Sequence, residues 1–240
     1  MTGFVDVHSH VVPSGDDGAT SVEDGLALCR LAVESGTEIL FATPHAHAPW
    51  DTYPLTSERV AQFDAAYAEM RPEVAAWGLD LRRGWEVFPS EIGASVRPDI
   101  ALEGTRAVLI EFPGFWLEID DAIGVVEAAA VLVEEAGLVP VLAHPERCRA
   151  VAADPGAVRT FVERGWLLCL NAPSLVGGHG EIARRTAWSL LDDGLIALVA
   201  SDGHSLMRPP ALSNGYQAVR EQLGRERARA LFDGSALPFA

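Results

Sequence analysis

The sequence predicts an α/β protein, a distorted TIM-like (β/α)7 barrel of parallel strands, and three observations predict it. Seven short apolar runs alternate with amphipathic stretches, most of those stretches stop at a glycine, and ligand-type residues gather just past the ends of the apolar runs. Apolar strands alternating with glycine-terminated helices imply parallel strands joined by helical crossovers, and seven such units suit a closed or nearly closed barrel. An open doubly wound sheet is the alternative architecture. No linker rich in proline, glycine or serine interrupts the 240 residues, so a single domain spanning 1–240 is expected.

Taken in order, the first strand is expected at Phe4–Val7, followed by a helix over Ser21–Ser35 that opens on a capping serine and stops at Gly36. The second strand covers Glu38–Ala42, and Thr56–Trp77 forms a long amphipathic helix. Leu81–Val87 and Ala107–Phe112 are the next two strands. Asp120–Ala136 reads as a helix that ends at Gly137, leading to a fifth strand at Val139–Ala143. Pro155–Arg164 is a helix before Gly165, and the sixth strand is Trp166–Leu170. Glu181–Asp193 precedes the seventh strand at Ile196–Ala200. Ser213–Leu223 and Glu226–Phe232 close the series, with Ala236–Phe239 as a docking tail.

Composition narrows the function. The net charge is −16, from 18 basic and 34 acidic residues, which argues against nucleic acid as a broad-surface partner. Every basic residue is arginine, so an anionic ligand needs local positive charge from metal ions or a few placed guanidinium groups. There is no apolar run long enough to span a membrane, and the first strand begins too near Met1 to leave room for a signal peptide. A cytoplasmic protein that is not membrane-embedded is expected. Cys29, Cys148 and Cys169 are too scattered for a disulfide framework, and none has an arginine six positions later, which excludes the phosphate loop of cysteine-dependent phosphatases.

In an α/β barrel the chemistry sits at the C-terminal ends of the strands. There the chain places His8, His10 and Asp17 after the first strand and His45 after the second. Glu86, Glu111 and His144 end the third, fourth and fifth, and Asp202 and His204 follow the seventh. The sixth contributes only Asn171. His8 and His10 stand two apart on an extended strand, so both imidazoles project from the same side. Glu86 and Glu111 interrupt apolar strand ends, where a buried carboxylate is costly unless it is paired or bound to metal. Mixed imidazole and carboxylate ligands suit manganese, iron or zinc better than an all-oxygen calcium site. Nine candidates exceed the needs of one ion, so two or three divalent ions sharing carboxylates are expected, a locally positive site inside an acidic protein.

With these residues in place, the chain resembles the PHP (polymerase and histidinol phosphatase) superfamily and its fold. Within that superfamily it resembles the bacterial capsular and exopolysaccharide type of metal-dependent protein tyrosine phosphatase. The matching segments are Asp6-Val7-His8-Ser9-His10, Asp16-Asp17-Gly18, Thr43-Pro44-His45, Glu86 and Leu109-Ile110-Glu111-Phe112. They continue with Ala143-His144-Pro145-Glu146-Arg147, Ser201-Asp202-Gly203-His204 and Arg208-Pro209-Pro210. The Asp-Asp-Gly, the Glu111 position and the Arg-Pro-Pro favour the tyrosine phosphatase branch, while Asp233-Gly234-Ser235 replaces the tail of many relatives.

The resemblance implies three ions, manganese first and iron or zinc next. His8, His10, Glu86 and Asp202 would hold one; Glu86, Glu111 and His144 a second; Asp17, His45 and His204 a third. It also implies that Arg147 and Arg208 grip the phosphate and that a metal-bound hydroxide hydrolyses a phosphomonoester. His47 is a candidate proton donor, and Trp50, Tyr53, Phe115 and Trp116 could form an aromatic rim. The expected partner is a phosphotyrosine protein, the tail of a bacterial tyrosine autokinase of polysaccharide biosynthesis. The alternatives are a small-molecule phosphatase of the histidinol phosphate type and a non-catalytic PHP interaction module. Many metal-dependent amidohydrolases also open on His-x-His but bridge their metals with a carboxylated lysine, which a lysine-free chain cannot supply. Gly178-His179-Gly180, which opens a helix, lacks the strand-turn context of a dinucleotide site. The oligomeric state is left open.

Overall fold

The computed structural model describes residues 3–46, 52–92, 98–115 and 119–239. Strand β1 (Phe4–Ser9) pairs with β2 (Thr37–Ala42), and β2 with β4 (Asp80–Arg83), all parallel. A second parallel sheet runs β3 (His45–Ala46), β5 (Glu86–Val87), β6 (Ala107–Glu111), β7 (Val139–Ala143), β8 (Leu167–Asn171) and β9 (Ile196–Ala200).

These two sheets are consecutive arcs of one ring. β3 continues the path of β2 after Thr43-Pro44, and β5 continues β4 after Gly84-Trp85. Hydrogen bonds carry the ladder through both breaks, from Gly84 N to Ala42 O at 2.9 Å and from Glu86 N to Pro44 O at 3.1 Å. The ring closes where Ser9 bridges Gly203, with Asp202 N donating to His8 O at 2.9 Å and His10 N to Gly203 O at 2.8 Å. Counting each broken strand once gives the seven positions read from the sequence. The breaks themselves were not foreseen. Pro44 has no N–H for the ladder, and a Cβ on Gly84 would stand 2.5 Å from Leu102 Cδ2, so the chain bends in both strands at the same level.

Helices α1 (Val22–Glu34), α2 (Ser57–Ala75) and α3 (Ala122–Glu135) fall where the amphipathic stretches placed them. The Ser21 hydroxyl accepts from Asp24 N at 3.1 Å, and Gly36 takes φ +97°, so α1 has the expected cap and stop. Short helices α4 (Arg149–Ala153) and α6 (Ala172–Leu175) were not anticipated. The helix expected over Pro155–Arg164 splits into a 3₁₀ turn at Pro155–Val158 and α5 (Arg159–Glu163), because the Asp154 carboxylate caps Gly156 N in the tighter turn. Helices α7 (Gly180–Asp192), α8 (Ser213–Leu223) and α9 (Arg225–Phe232) complete the series.

Two apolar clusters hold the fold. The larger lies between strands and outer helices and contains Leu40, Phe63, Val108, Leu142 and Leu190. The smaller groups Val5, Phe41, Leu109, Val141, Cys169 and Leu198 from successive strands, with Leu237 of the C-terminal tail. Because strand side chains alternate, the two clusters take opposite faces of the same strands. The tail docks as expected: Arg106 N donates to Pro238 O at 3.0 Å, and Leu237 is buried. Among the described residues, no helix is long and apolar enough to cross a membrane.

Candidate metal centre

The inward-facing series on β6, Ala107 and Leu109, ends at Glu111, and the other strands change from apolar to polar at the same level. His8, His10, Glu86, Glu111, His144 and Asp202 are all buried there, while His45 and the half-exposed Asp17 stand nearer solvent. His144 and Asp202 take positive φ values of 42° and 53°, conformations uncommon for residues with a side chain and found where a site requires them.

The donor atoms converge. Glu86 Oε2 lies 3.1 Å from His8 Nε2, 3.3 Å from His10 Nε2 and 3.2 Å from His45 Nδ1, while its Oε1 lies 2.9 Å from His144 Nε2. His8 Nε2 and His10 Nε2 are 3.2 Å apart, confirming that the two imidazoles share one side. Asp202 Oδ1 stands 3.4 Å from His8 Nε2 and 3.7 Å from His10 Nε2. Asp17 Oδ1 lies 3.5 Å from His45 Nε2 and 3.4 Å from His204 Nε2. Four sets of ligand atoms, each within 4.8 Å, result: His10, Asp17, His45 and His204; His8, His10 and Asp202; His8, Glu86 and His144; and His45, Glu86 and Glu111. All nine expected ligand residues are thus brought together. Their partition differs from the one the resemblance implies, since Glu111 falls with His45 and His144 with His8, and Glu86 joins both sets.

Neighbours fix several of these rings. Asp16 Oδ2 lies 2.8 Å from His10 Nδ1 and accepts from His45 N at 3.1 Å, so His10 is turned to present Nε2 to the centre. His204 Nδ1 lies 2.8 Å from Asp202 O, which turns its Nε2 toward Asp17. Asp202 is split between two tasks. Its Oδ1 faces the imidazoles, whereas its Oδ2 accepts from Arg147 Nη1 at 2.7 Å, Arg208 Nη2 at 3.0 Å and Asn171 Nδ2 at 2.8 Å. The two arginines expected to meet phosphate therefore share one carboxylate oxygen at the edge of the centre. Arg59 ties the rim from outside, donating to Ser14 O at 2.8 Å, Tyr53 O at 2.7 Å and His45 O at 2.9 Å.

Among the candidate ligand residues, Nδ1 of His8, His45 and His144 and Oε2 of Glu111 have no hydrogen-bond partner, and for His8 and His144 it is Nε2, not Nδ1, that faces the centre. Burial, with the Glu86 and Asp202 carboxylates nearby, pushes Glu111 well above the usual carboxylate range. Burial also lowers His45 to about 4. Against their own burial, the surrounding histidines hold Glu86 and Asp202 well below that range. A carboxyl group pushed toward its neutral form beside two held as carboxylates, with Glu111 Oε2 and His45 Nδ1 unpartnered, is a charge arrangement that divalent cations resolve. Donor separations of 3.1–3.4 Å also match the edges of a coordination polyhedron with bonds of about 2.1 Å, the usual length for imidazole nitrogen. The residues fit metal.

The expected aromatic rim is represented by Tyr53, whose ring stacks on His45 at a centroid distance of 5.5 Å and an angle of 5°. Phe115 is half-buried and its carbonyl accepts from Arg149 Nε at 2.7 Å. His47, Trp50 and Trp116 lie outside the described residues. Sequence reasoning assigned no role to Asp16, Glu146 or Arg59, and named Asn171 only as what the sixth strand contributes. Asp16 and Glu146 stood inside matching segments, and the signal for them is the cost of burying a polar side chain that has no ligand role of its own. Glu146, raised to about 7 by burial, accepts from Ser174 Oγ at 2.6 Å and Asn171 N at 3.1 Å, and so supports the residue that holds Asp202.

Comparison with known proteins adds a family. The family described as "Capsular polysaccharide synthesis, CpsB/CapC" matches residues 4–237. Tyrosine-protein phosphatase YwqE of Bacillus subtilis is 30% identical over 206 residues, covering 85% of this chain and 78% of that protein. Tyrosine-protein phosphatase CpsB of Streptococcus agalactiae is 27% identical over 241 residues, covering 95% of each. A solved structure described as "Crystal structures of YwqE from Bacillus subtilis and CpsB from Streptococcus pneumoniae, unique metal-dependent tyrosine phosphatases" aligns with a TM-score of 0.77 at 26% identity, covering 93% of this chain and 89% of that one.

Proposed function

The chain belongs to the CpsB/CapC family of capsular polysaccharide synthesis, and from that premise we propose that it is a metal-dependent protein tyrosine phosphatase. The observation that carries this reading is the placement of Arg147 and Arg208 on the outer oxygen of Asp202, whose inner oxygen faces the histidine cluster. Two guanidinium groups therefore stand at the edge of the ligand cluster, within reach of a phosphoryl group bound at the metals.

The proposed assignment keeps the grouping that the resemblance implies, with Glu86 joining the sets that the structure separates: His8, His10, Glu86 and Asp202 would hold one divalent ion, Glu86 with Glu111 and His144 a second, and Asp17, His45 and His204 a third. Manganese is the first choice, with iron or zinc next. When bound, the ions supply Lewis acidity that activates water near neutral pH and offsets the charge of the phosphate. The protein's own groups do the rest. Asp16 and the Asp202 carbonyl orient His10 and His204, and Asn171 keeps Asp202 in place. Arg147 and Arg208 swing a guanidinium edge from Asp202 Oδ2 to the phosphate oxygens. A phenol leaves with a pKa of about 10, so a strong acid is not required, and His47 is the proposed proton donor.

Arg208 is 41% exposed and Asp17 47%, which places the outer part of the centre at the surface. An open rim favours a phosphotyrosine presented on another protein over a small metabolite that must be enclosed. The proposed substrate is the tail of a bacterial tyrosine kinase of polysaccharide biosynthesis, met in the cytoplasm. Metal-reconstituted protein should hydrolyse phosphotyrosine peptides in preference to histidinol phosphate. Arg147→Ala and Arg208→Ala should each lower kcat/KM by about a hundredfold with metal content intact. Preference for histidinol phosphate, or unchanged kinetics in both variants, would overturn the reading.

A further inference from the structure

The segment between His204 and Arg208 is a tight turn with an unusual tip. Ser205 and Arg208 pair as an antiparallel bridge, with His204 N donating to Arg208 O at 2.8 Å and Arg208 N to Ser205 O at 3.0 Å. Its base is packed so closely that a Cβ on Gly203 would stand 2.5 Å from Pro210 Cα. The two tip residues are Leu206 and Met207, 69% and 91% exposed, the highest values among the large apolar side chains of the described residues. Turn tips favour glycine, asparagine, aspartate and serine. Two apolar side chains held out to solvent on a rigid turn need another reason.

That reason lies in what the turn borders. Leu206 and Met207 wall a pocket of about 320 Å³ whose other side is Ala19, Ala27 and Leu28. The size is at the lower end for a ligand site and suits one side chain rather than a cofactor. The pocket borders the metal centre, since the ligand residue His204 and Gly18, the neighbour of Asp17, are among its lining. We propose that the Leu206–Met207 turn and this pocket form a specificity subsite that takes an apolar side chain flanking the substrate phosphotyrosine. The inference rests on the phosphotyrosine reading above and deepens it.

One short turn carries both Arg208, at the phosphate position, and the two apolar residues. Met207 is adjacent to Arg208 and Leu206 one residue further, so a peptide whose phosphate meets Arg208 runs beside the tip, and its residues stand about 3.3 Å apart along an extended chain. Among the described residues Asp24 is the one carboxylate lining the pocket and no arginine lines it, so an acidic neighbour is disfavoured and an apolar one can leave water at little polar cost.

The test uses metal-loaded full chain and three phosphotyrosine peptides that differ in carrying leucine, serine or glutamate on both sides of the phosphotyrosine, with p-nitrophenyl phosphate as the reference. Wild type should prefer leucine over serine by about tenfold in kcat/KM, expressed in KM, and glutamate should be poorest. In the L206S/M207S double variant the leucine preference should collapse to within about twofold, relative to the reference ester. Both positions are exposed, so metal content and thermal unfolding serve to verify the fold. No preference in wild type, or a preference that survives in the variant, overturns the subsite. A fall in oligomeric mass of the variant on sedimentation assigns the turn to a contact between copies and also overturns it. Turnover of p-nitrophenyl phosphate with none of any peptide sinks the phosphotyrosine reading and this inference together, whereas peptide turnover without side-chain preference sinks this inference alone.

Discussion

The interior of the barrel and its mouth are built from the same strands and obey opposite rules. Inside, Val5, Phe41, Leu109, Val141 and Leu198 pack without polar atoms, so the lower ring gains stability from burial and needs nothing from outside. Farther along the same strands, His8, Glu86, Glu111, His144 and Asp202 are equally buried, Glu86 and Asp202 lie among imidazoles, and Glu111 leaves Oε2 without a hydrogen-bond partner. Removing such groups from water costs free energy that the protein alone does not recover. The lower ring is thus a scaffold whose stability supports an upper ring that is complete only with cations. This division predicts that damage to the two layers will be seen by different measurements.

The largest effect expected is at Glu86, which approaches four histidines. Glu86→Gln keeps the shape but loses the charge, and kcat/KM should fall by about three orders of magnitude, roughly 4 kcal/mol, with metal lost on dialysis. Metal analysis decides it: a variant that keeps its full metal complement breaks the assignment of the upper layer. Leu109→Ala, one layer down on the strand that ends in Glu111, should do the reverse. It should lower unfolding stability by about 3 kcal/mol through the cavity it leaves, while the folded fraction retains metal and activity. Loss of metal in proportion to loss of stability would show that the layers are not separable.

A smaller effect is expected one shell outward. Asp16 is 2.8 Å from His10 Nδ1, and that contact holds Asp16 below the usual carboxylate range despite its burial. Asp16→Asn should weaken metal affinity by roughly 10- to 100-fold without removing a ligand, measured by competition with a chelator. An unchanged affinity would mean that packing alone orients His10.

Asp16 also marks how far the sequence could be read. The ligand residues were legible because each breaks an apolar run at its C-terminal end, and the fold dictates what that position faces. Asp16 stood beside Asp17 in the same short segment, and nothing local says which of two adjacent acids turns inward to a histidine and which faces the rim. Arg147, Arg208 and Asn171 were each visible, but their meeting on one oxygen of Asp202 joins residues up to 55 positions apart and follows from strand register and loop closure. The bends at Pro44 and Gly84 were hidden for a related reason. Each strand reads as one run, and only the ring geometry shows that Glu86 N must reach Pro44 O.

The smallest predicted effect tests whether the mouth's electrostatics extend beyond the ligands. His179 precedes α7, and its Nδ1 lies 2.9 Å from Ser174 Oγ, which donates its proton to Glu146. Nδ1 must then be the donor to Ser174. Burial, and next the Arg147 cation, lower His179 to about 4 from 6.5. A histidine whose folded value is lowered binds fewer protons in the native state than in the unfolded state between those two pH values. Stability therefore rises with pH across that window and is lost as pH falls from about 6.5 toward 4. His179→Asn retains a donor for Ser174 but cannot titrate, so the variant should lose less stability than wild type on acidification. Because His179 is partly exposed, screening reduces the difference to about 1 kcal/mol. Glu146 is joined to His179 through Ser174 and titrates near the upper edge of the same window, so the comparison is best made in a Glu146→Gln background. Denaturant unfolding at pH 7 and at pH 4.5 supplies the numbers. Parallel pH dependences with and without the His179→Asn substitution would confine the electrostatic influence of the mouth to the ligands and their direct partners.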